Sequence, residues 1–158
     1  MTVLPMPPVI RSEFVLWSDV DPVNITRYDA YVRMIEFGED ALFRAAGLTI
    51  PIIADRWDIW LPRKLMHVDY HSPSRLAELV TVATYLSRVG ETAVTLNVDV
   101  LDGSGARLHA SAHLVLVCVG RAAFDKRPLP AALRALLAPL VCSADDARAR
   151  VRTVRAGS

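Results

Sequence analysis

Asp19 and Asp21 stand one residue apart after a short β-type run, Glu13 to Trp17, and lead into Pro22, Asn24 and the tetrad Thr26-Arg27-Tyr28-Asp29. Thr-x-x-Asp ahead of an apolar-periodic run has the form of a helix start, with Thr26 as N-cap and Asp29 at the third helical position. A carboxylate in front of that start, Asp21 above all, faces backbone N–H groups that lack intrahelical acceptors and carry partial positive charge. An anionic nucleophile or base beside an oxyanion-stabilising helix end is a layout suited to acyl transfer. Asp19 is expected to hydrogen-bond loop amides instead.

Positioning this motif falls to one long helix and the strands beyond it. From about Arg27 to Ala46, the residues Tyr31, Met34, Ile35, Gly38, Ala41, Leu42 and Ala45 recur at helical spacing, with Glu36, Glu39, Asp40 and Arg44 on the other side. Gly38 lies on the apolar face, where it costs up to about 1 kcal/mol against alanine; close approach to a sheet would offset that. Gly47-Leu48 forms the helix stop. Val9 to Trp17 is predicted as the first strand, and Ile59 to Tyr70 as a strand interrupted near Pro62. Leu79 to Arg88, Glu91 to Leu101 and Leu108 to Val119 are three long strands. They are joined by a tight turn at Val89-Gly90 and the hairpin sequence Asp102-Gly103-Ser104-Gly105. Such short connections make an antiparallel meander. The fold class is therefore α+β, with a twisted sheet that must curl around the helix to cover its apolar face. A short helix, Ala131 to Leu137, is broken by Pro139. Residues 1–141 are expected to form one domain, and the Arg-rich tail 142–158 a peripheral, frayed and solvated helix. Thr2 to Pro8, rich in proline, is expected to be extended, lying over the surface or disordered.

The totals narrow the classes. A chain of 158 residues, 53% hydrophobic and 22% charged, has enough apolar material for a sizeable core. A net charge of +1 argues against a nucleic-acid or membrane footprint over the whole chain. The N-terminal residues lack a basic region followed by a long apolar run, so no signal peptide is expected and the expected location is cytoplasmic. Cys118 and Cys142 have no metal-site spacing. His67, Asp69 and His71 share one strand face, as do His109 and His113, but spacing by two on a single strand is poor metal geometry, and no metal is expected. The absence of a Gly-x-Ser-x-Gly elbow disfavours a Ser/His/Asp hydrolase.

Asp-x-Asp-Pro, with Tyr28 and Tyr31 following at seven and ten residues and then a long helix, resembles the hotdog-fold acyl-CoA thioesterases of the 4-hydroxybenzoyl-CoA thioesterase type. His71-Ser72-Pro73 followed by Arg75-Leu76-Ala77-Glu78-Leu79-Val80 is similar to that family's turn between long strands, and the resemblance covers roughly Glu13 to Gly120. The family often has glycine where this chain has Asn24. The resemblance implies a hotdog fold, with Asp21 as nucleophile or general base and the Tyr28 N–H polarising the thioester carbonyl. The Thr26 hydroxyl competes for that N–H, in which case a neighbouring amide would serve. It also implies a loop after the helix folding toward the acyl pocket, with Trp57 and Trp60 as lining candidates beside Tyr31. Two sheets would join edge to edge in a homodimer or homotetramer, with sites at the subunit boundary. Arg63, Lys64, Arg75 and Arg88 are candidate contacts for the phosphates of coenzyme A.

The expected activity is hydrolysis of an acyl-CoA or acyl carrier protein thioester without a cofactor, coenzyme A or phosphopantetheine entering only as part of the substrate. Two alternatives accompany it: a polyketide-pathway thioesterase releasing a carrier-bound chain, and a non-catalytic acyl-CoA sensor.

Overall fold

The structure is a computed structural model and describes residues 6–158; most of the expected Thr2–Pro8 extension therefore lies outside the described residues. β1 (Val9–Phe14) leads through a 3₁₀ turn at Trp17–Asp19 into α1 (Tyr28–Ala45). There follow α2 (Ile50–Trp57), β2 (Ile59–Trp60), β3 (Arg63–Tyr70), β4 (Leu79–Val89), β5 (Ala93–Asp102), β6 (Leu108–Val117) and β7 (Val119–Gly120). The chain ends in α3 (Ala131–Leu137), a 3₁₀ turn at Ala138–Leu140 and α4 (Ala144–Ala156). Five strands form an antiparallel sheet in the order β1-β4-β5-β6-β3, and β2 pairs with β7 in a separate two-stranded sheet. The meander β4-β5-β6 is the one the short turns predicted.

The inner face of the sheet wraps α1, whose Met34, Ile35, Leu42 and Phe43 are buried with Val82, Leu86, Leu96, Val98 and Leu114. Gly38 marks the closest approach. A Cβ there would lie 2.4 Å from Thr84 Oγ1 and 2.9 Å from Val82 Cγ1, so only glycine lets helix and sheet meet at this distance. The helix stops as predicted: Gly47 has φ +73, its N–H donates to Arg44 O at 2.9 Å, and Leu48 N–H donates to Phe43 O at 2.9 Å. This pair of bonds is a Schellman closure. The architecture is the α+β hotdog layout that the resemblance implied. No helix among the described residues is long and apolar enough to cross a membrane.

Four local expectations are corrected. The segment after α1 is a helix rather than a loop: Thr49 Oγ1 accepts the Ile52 N–H and Pro51 sits in the first turn, a start signal that the apolar run Ile50–Ile53 obscured. The interrupted strand at 59–70 is two strands in different sheets, because Pro62 has no N–H to continue the ladder. The start of α1 moves by one residue: Arg27, not Thr26, is the N-cap, and no side chain caps it. The Arg-rich tail is neither frayed nor peripheral. α4 lies on the outer face of the sheet with Val151 fully buried beside Ala83 and Leu101, and Arg148 Nε donates to Asp99 Oδ2 at 2.8 Å. The helix itself was expected; its docking on the sheet, through Val151, was hidden among its arginines.

Candidate active site

The loop between the 3₁₀ turn and α1 is held from both sides. Asp19 is 4% exposed; its carboxylate accepts the Leu16 N–H at 2.9 Å and a two-pronged contact from Arg33 of α1, Nη2 at 2.9 Å and Nε at 3.3 Å. Arg33 also reaches Glu13 Oε2 at 2.9 Å. Asp19 is thus a structural anchor, as its place in the motif suggested. Its carbonyl accepts the Arg27 N–H at 2.8 Å, which ties the turn to the residue before the helix.

Asp21 heads a five-residue loop closed by its own N–H donating to Ile25 O at 3.0 Å. Its Oδ1 accepts the N–H groups of Val23 at 2.9 Å and Ile25 at 3.1 Å. No partner among the described residues engages Oδ2. Asn24 turns the loop with φ +59, the left-handed conformation that asparagine tolerates. Its side chain adds what glycine cannot: Oδ1 accepts the Leu76 N–H at 3.0 Å. The Arg75 guanidinium donates to Asn24 O at 3.4 Å, so Arg75 sits on the motif loop.

Thr26 is buried and faces away from the helix N–H groups. Its own N–H and its hydroxyl both donate to Ser74 O, at 2.9 and 3.0 Å. The competition expected between Thr26 and the oxyanion position is therefore absent. Tyr28 is the first helical residue, and no acceptor among the described residues takes its N–H. Asp29, near the positive end of the helix, pairs with Arg27 instead of completing a capping box.

Beside this helix start opens a cleft of about 350 Å³ lined by Ile25, Thr26, Tyr28, Tyr31, Tyr70, His71, Ser72 and Pro73. Tyr31 and Tyr70 meet edge to face with centroids 5.6 Å apart, and the Tyr70 hydroxyl donates to Tyr28 O at 3.4 Å. Burial pushes the Tyr70 phenol pKa up, with smaller contributions from Tyr31 and Tyr28. His71 Nε2 lies 2.9 Å from Ser111 Oγ. Behind the cleft wall, His109 is fully buried. Its Nδ1 lies 3.2 Å from Ser72 O and 3.1 Å from Ser72 Oγ, and Ser72 Oγ donates to Leu108 O at 2.8 Å. Burial lowers the His109 pKa, with the Ser72 carbonyl opposing.

The structure brings Tyr28, Tyr31 and the Asp21 loop together with Arg75 and separates the other candidates. Asp21 itself is half-buried and does not form the cleft wall. Trp57 and Trp60 are half-buried on α2 and β2, under the guanidinium groups of Arg56 and Arg121 at 5.2 Å each, and neither lines the cleft. Arg88 lies near the far end of β4 from Arg75, so an 11-residue strand rising roughly 3.3 Å per residue separates them. Arg63 is engaged with Glu39 at 2.8 Å; burial raises the Glu39 pKa against the opposing pull of Arg63. His67 pairs with Asp69 at 3.1 Å on the exposed edge. Ser74 and Tyr70 were not anticipated. Tyr70 directly precedes the His71-Ser72-Pro73 turn and was findable there, whereas Ser74 carries no local signal.

The model of the Thioesterase-like superfamily matches residues 15–137. Among curated proteins no sequence relative matches. Solved structures share the fold at low identity. A thioesterase-superfamily protein from Jannaschia sp. CCS1 has a TM-score of 0.78 and 21% identity over 89% of this chain and 99% of that one. A 1,4-dihydroxy-2-naphthoyl-CoA thioesterase from Synechocystis has a TM-score of 0.75 and 17% identity over 82% and 95%. A Staphylococcus aureus protein in complex with CoA has a TM-score of 0.78 and 12% identity over 90% and 91%.

Proposed function

The chain belongs to the thioesterase-like superfamily, and from that premise we propose that it is a thioester hydrolase that cleaves acyl-CoA at the cleft beside Tyr28, with Asp21 as the reacting carboxylate. The observation that carries this is that Tyr28, whose N–H has no acceptor among the described residues, lines the cleft at the positive end of an 18-residue helix. A thioester carbonyl oxygen placed there gains a donor as it becomes an oxyanion, a contribution on the order of 3 kcal/mol to the transition state. Asp21, held at Oδ1 by two loop amides, keeps Oδ2 for the reaction. That oxygen either adds to the carbonyl carbon, giving a mixed anhydride that water cleaves, or takes the proton of the attacking water. Both routes expel the CoA thiolate, which leaves without a strong general acid, and both end in free acid and thiol. The rings of Tyr28, Tyr31 and Tyr70 give the acyl group an apolar wall, and Arg75 stands near enough to the motif loop to meet a phosphate of CoA.

A second copy of the chain is part of the proposal. β3 is an edge strand whose Leu65, Met66 and Tyr70 are exposed, and Tyr70 and His71 at its end also line the cleft. Pairing at this edge would cover the unpaired backbone groups and place the cleft at a subunit boundary.

One observation favours a binding protein without turnover: the Asp21 carboxylate faces its own loop amides rather than the cleft wall. Thiol release decides between them. A screen of aromatic and aliphatic acyl-CoAs, with the same acyl groups on a carrier protein, is expected to yield free thiol with acyl-CoA. Asp21→Asn keeps the Oδ1 acceptor and so the loop, and should lower kcat by about 10²- to 10⁴-fold without a change in Tm. Stoichiometric binding with no thiol released, or full activity in Asp21→Asn, would refute the proposal.

A further inference from the structure

The hydrogen bonds around Ser74 link three buried hydroxyl groups to one another and to the Ser74 backbone. The Thr26 hydroxyl lies within donating distance of Ser74 O, at 3.0 Å. It also meets Ser74 Oγ at 2.7 Å, a contact in which either hydroxyl can donate. Ser74 Oγ lies 2.9 Å from the Tyr31 phenol oxygen, where again either group can donate. The phenol oxygen in turn accepts the Ser74 N–H at 3.3 Å. Ser74, Thr26 and Tyr31 are all buried, Ser74 completely, and the circuit joins residues 48 apart in sequence.

Two consequences bear on the cleft. The Tyr31 phenol oxygen is held against the Ser74 hydroxyl and N–H, which fixes where the Tyr31 ring stands in the cleft. Thr26, two residues before Tyr28, is fixed to the Ser72–Leu76 segment, which supplies the opposite wall and holds Asn24 through the Leu76 N–H. We infer that Ser74 is a positioning residue for thioester hydrolysis: through Thr26 and Tyr31 it sets where the Tyr28 N–H stands relative to the wall that Ser72 and Pro73 present. This assignment rests on the hydrolase reading of the cleft given above. Ser74 touches no substrate; it acts through the two residues it binds.

Ser74→Ala keeps both Thr26 bonds to the carbonyl and the N–H bond to Tyr31, because these use the backbone. It removes the hydroxyl that both Thr26 Oγ1 and the Tyr31 phenol contact. Displacement of the helix start by a fraction of an ångström should lower kcat by about 10- to 100-fold, with KM within about threefold of wild type, since the lost contact acts in the transition state. Thr26→Val should show the same loss, Thr26→Ser should recover much of it, and Ser74→Ala/Thr26→Val should lose little more than either alone, as partners in one network do. Ser143→Ala, which removes the N-cap of α4, should lower Tm comparably and leave kcat intact. If Ser74→Ala fails to fold, Thr26→Val carries the same test. Wild-type kcat in Ser74→Ala, or losses that add in the double variant, would overturn the assignment of Ser74. Asp21→Asn in the same assay separates the failures: if it is dead while Ser74→Ala is fully active, only Ser74 falls, and if it is fully active the hydrolase reading falls as well.

Discussion

The two halves of α1 are secured by different physics. Its first half and the residues leading into it are held by directional polar contacts: Arg33 to Asp19 and Glu13, Thr26 and Tyr31 to Ser74, and Tyr70 to the Tyr28 carbonyl. From Met34 onward the helix is held by close packing, with Gly38 against Thr84 and Val82, and Leu42 and Phe43 fully enclosed. Packing tolerates small rotations at little cost, whereas a hydrogen bond weakens steeply with angle. A reaction that needs one N–H aimed at one oxygen is therefore better served by the polar end. At the same end the Tyr28 N–H has no acceptor among the described residues.

The contrast can be broken most widely by pairing a variant from each half. Asp21→Asn should remove activity and spare stability; Gly38→Ala should do the reverse. The added Cβ meets Thr84 Oγ1 and Val82 Cγ1 inside van der Waals contact, and overpacking of this kind costs about 1–3 kcal/mol, less whatever helix propensity returns. Urea or thermal unfolding should show the loss, with kcat per folded molecule unchanged, and Thr84→Ala in the same chain should restore part of the stability. A fall in kcat matching the fall in Tm would mean that the two halves are not separable.

Val151→Ala extends the comparison to the outer face of the sheet. Val151 fills the small cluster that docks α4, and losing two buried methyl groups should cost about 2 kcal/mol, visible in Tm and absent from kcat.

The smallest effect concerns His109 behind the cleft wall. Its folded pKa lies below the ordinary value of 6.5 because burial disfavours the charged ring, and Arg107 adds to this while Glu78 and Asp102 oppose. The sign follows: stability from the neutral ring is fully present above about pH 6.5 and is lost as pH falls through the lower folded value. Tm measured from pH 7.5 downward should therefore decline more steeply in wild type than in His109→Gln. Equal slopes would show that His109 does not titrate in this range.

Helix α1, its stop at Gly47, the meander of β4 to β6 and the close approach at Gly38 were all legible, because hydrophobic period, a glycine after the last turn and short turn sequences are local patterns. The same patterns misplaced the N-cap. Thr-x-x-Asp looks like a cap wherever it occurs, yet the Thr26 hydroxyl found a better-placed acceptor on Ser74 once the sheet had brought that residue alongside. The aromatic pair Trp57 and Trp60 was legible as apolar and illegible as to place. Arg75 and Arg88 carry the same charge in similar contexts, and only the length of β4 sets them apart.

By itself the sequence determined α1, the meander of β4 to β6 and the carboxylate motif ahead of a helix, since each depends on neighbours within a few residues. Tertiary structure decided which polar groups meet across the chain. Pairing residues 48 apart depends on how the sheet curls around α1, as does the place of the Tyr28 N–H, which has no acceptor among the described residues while Thr26 bonds Ser74.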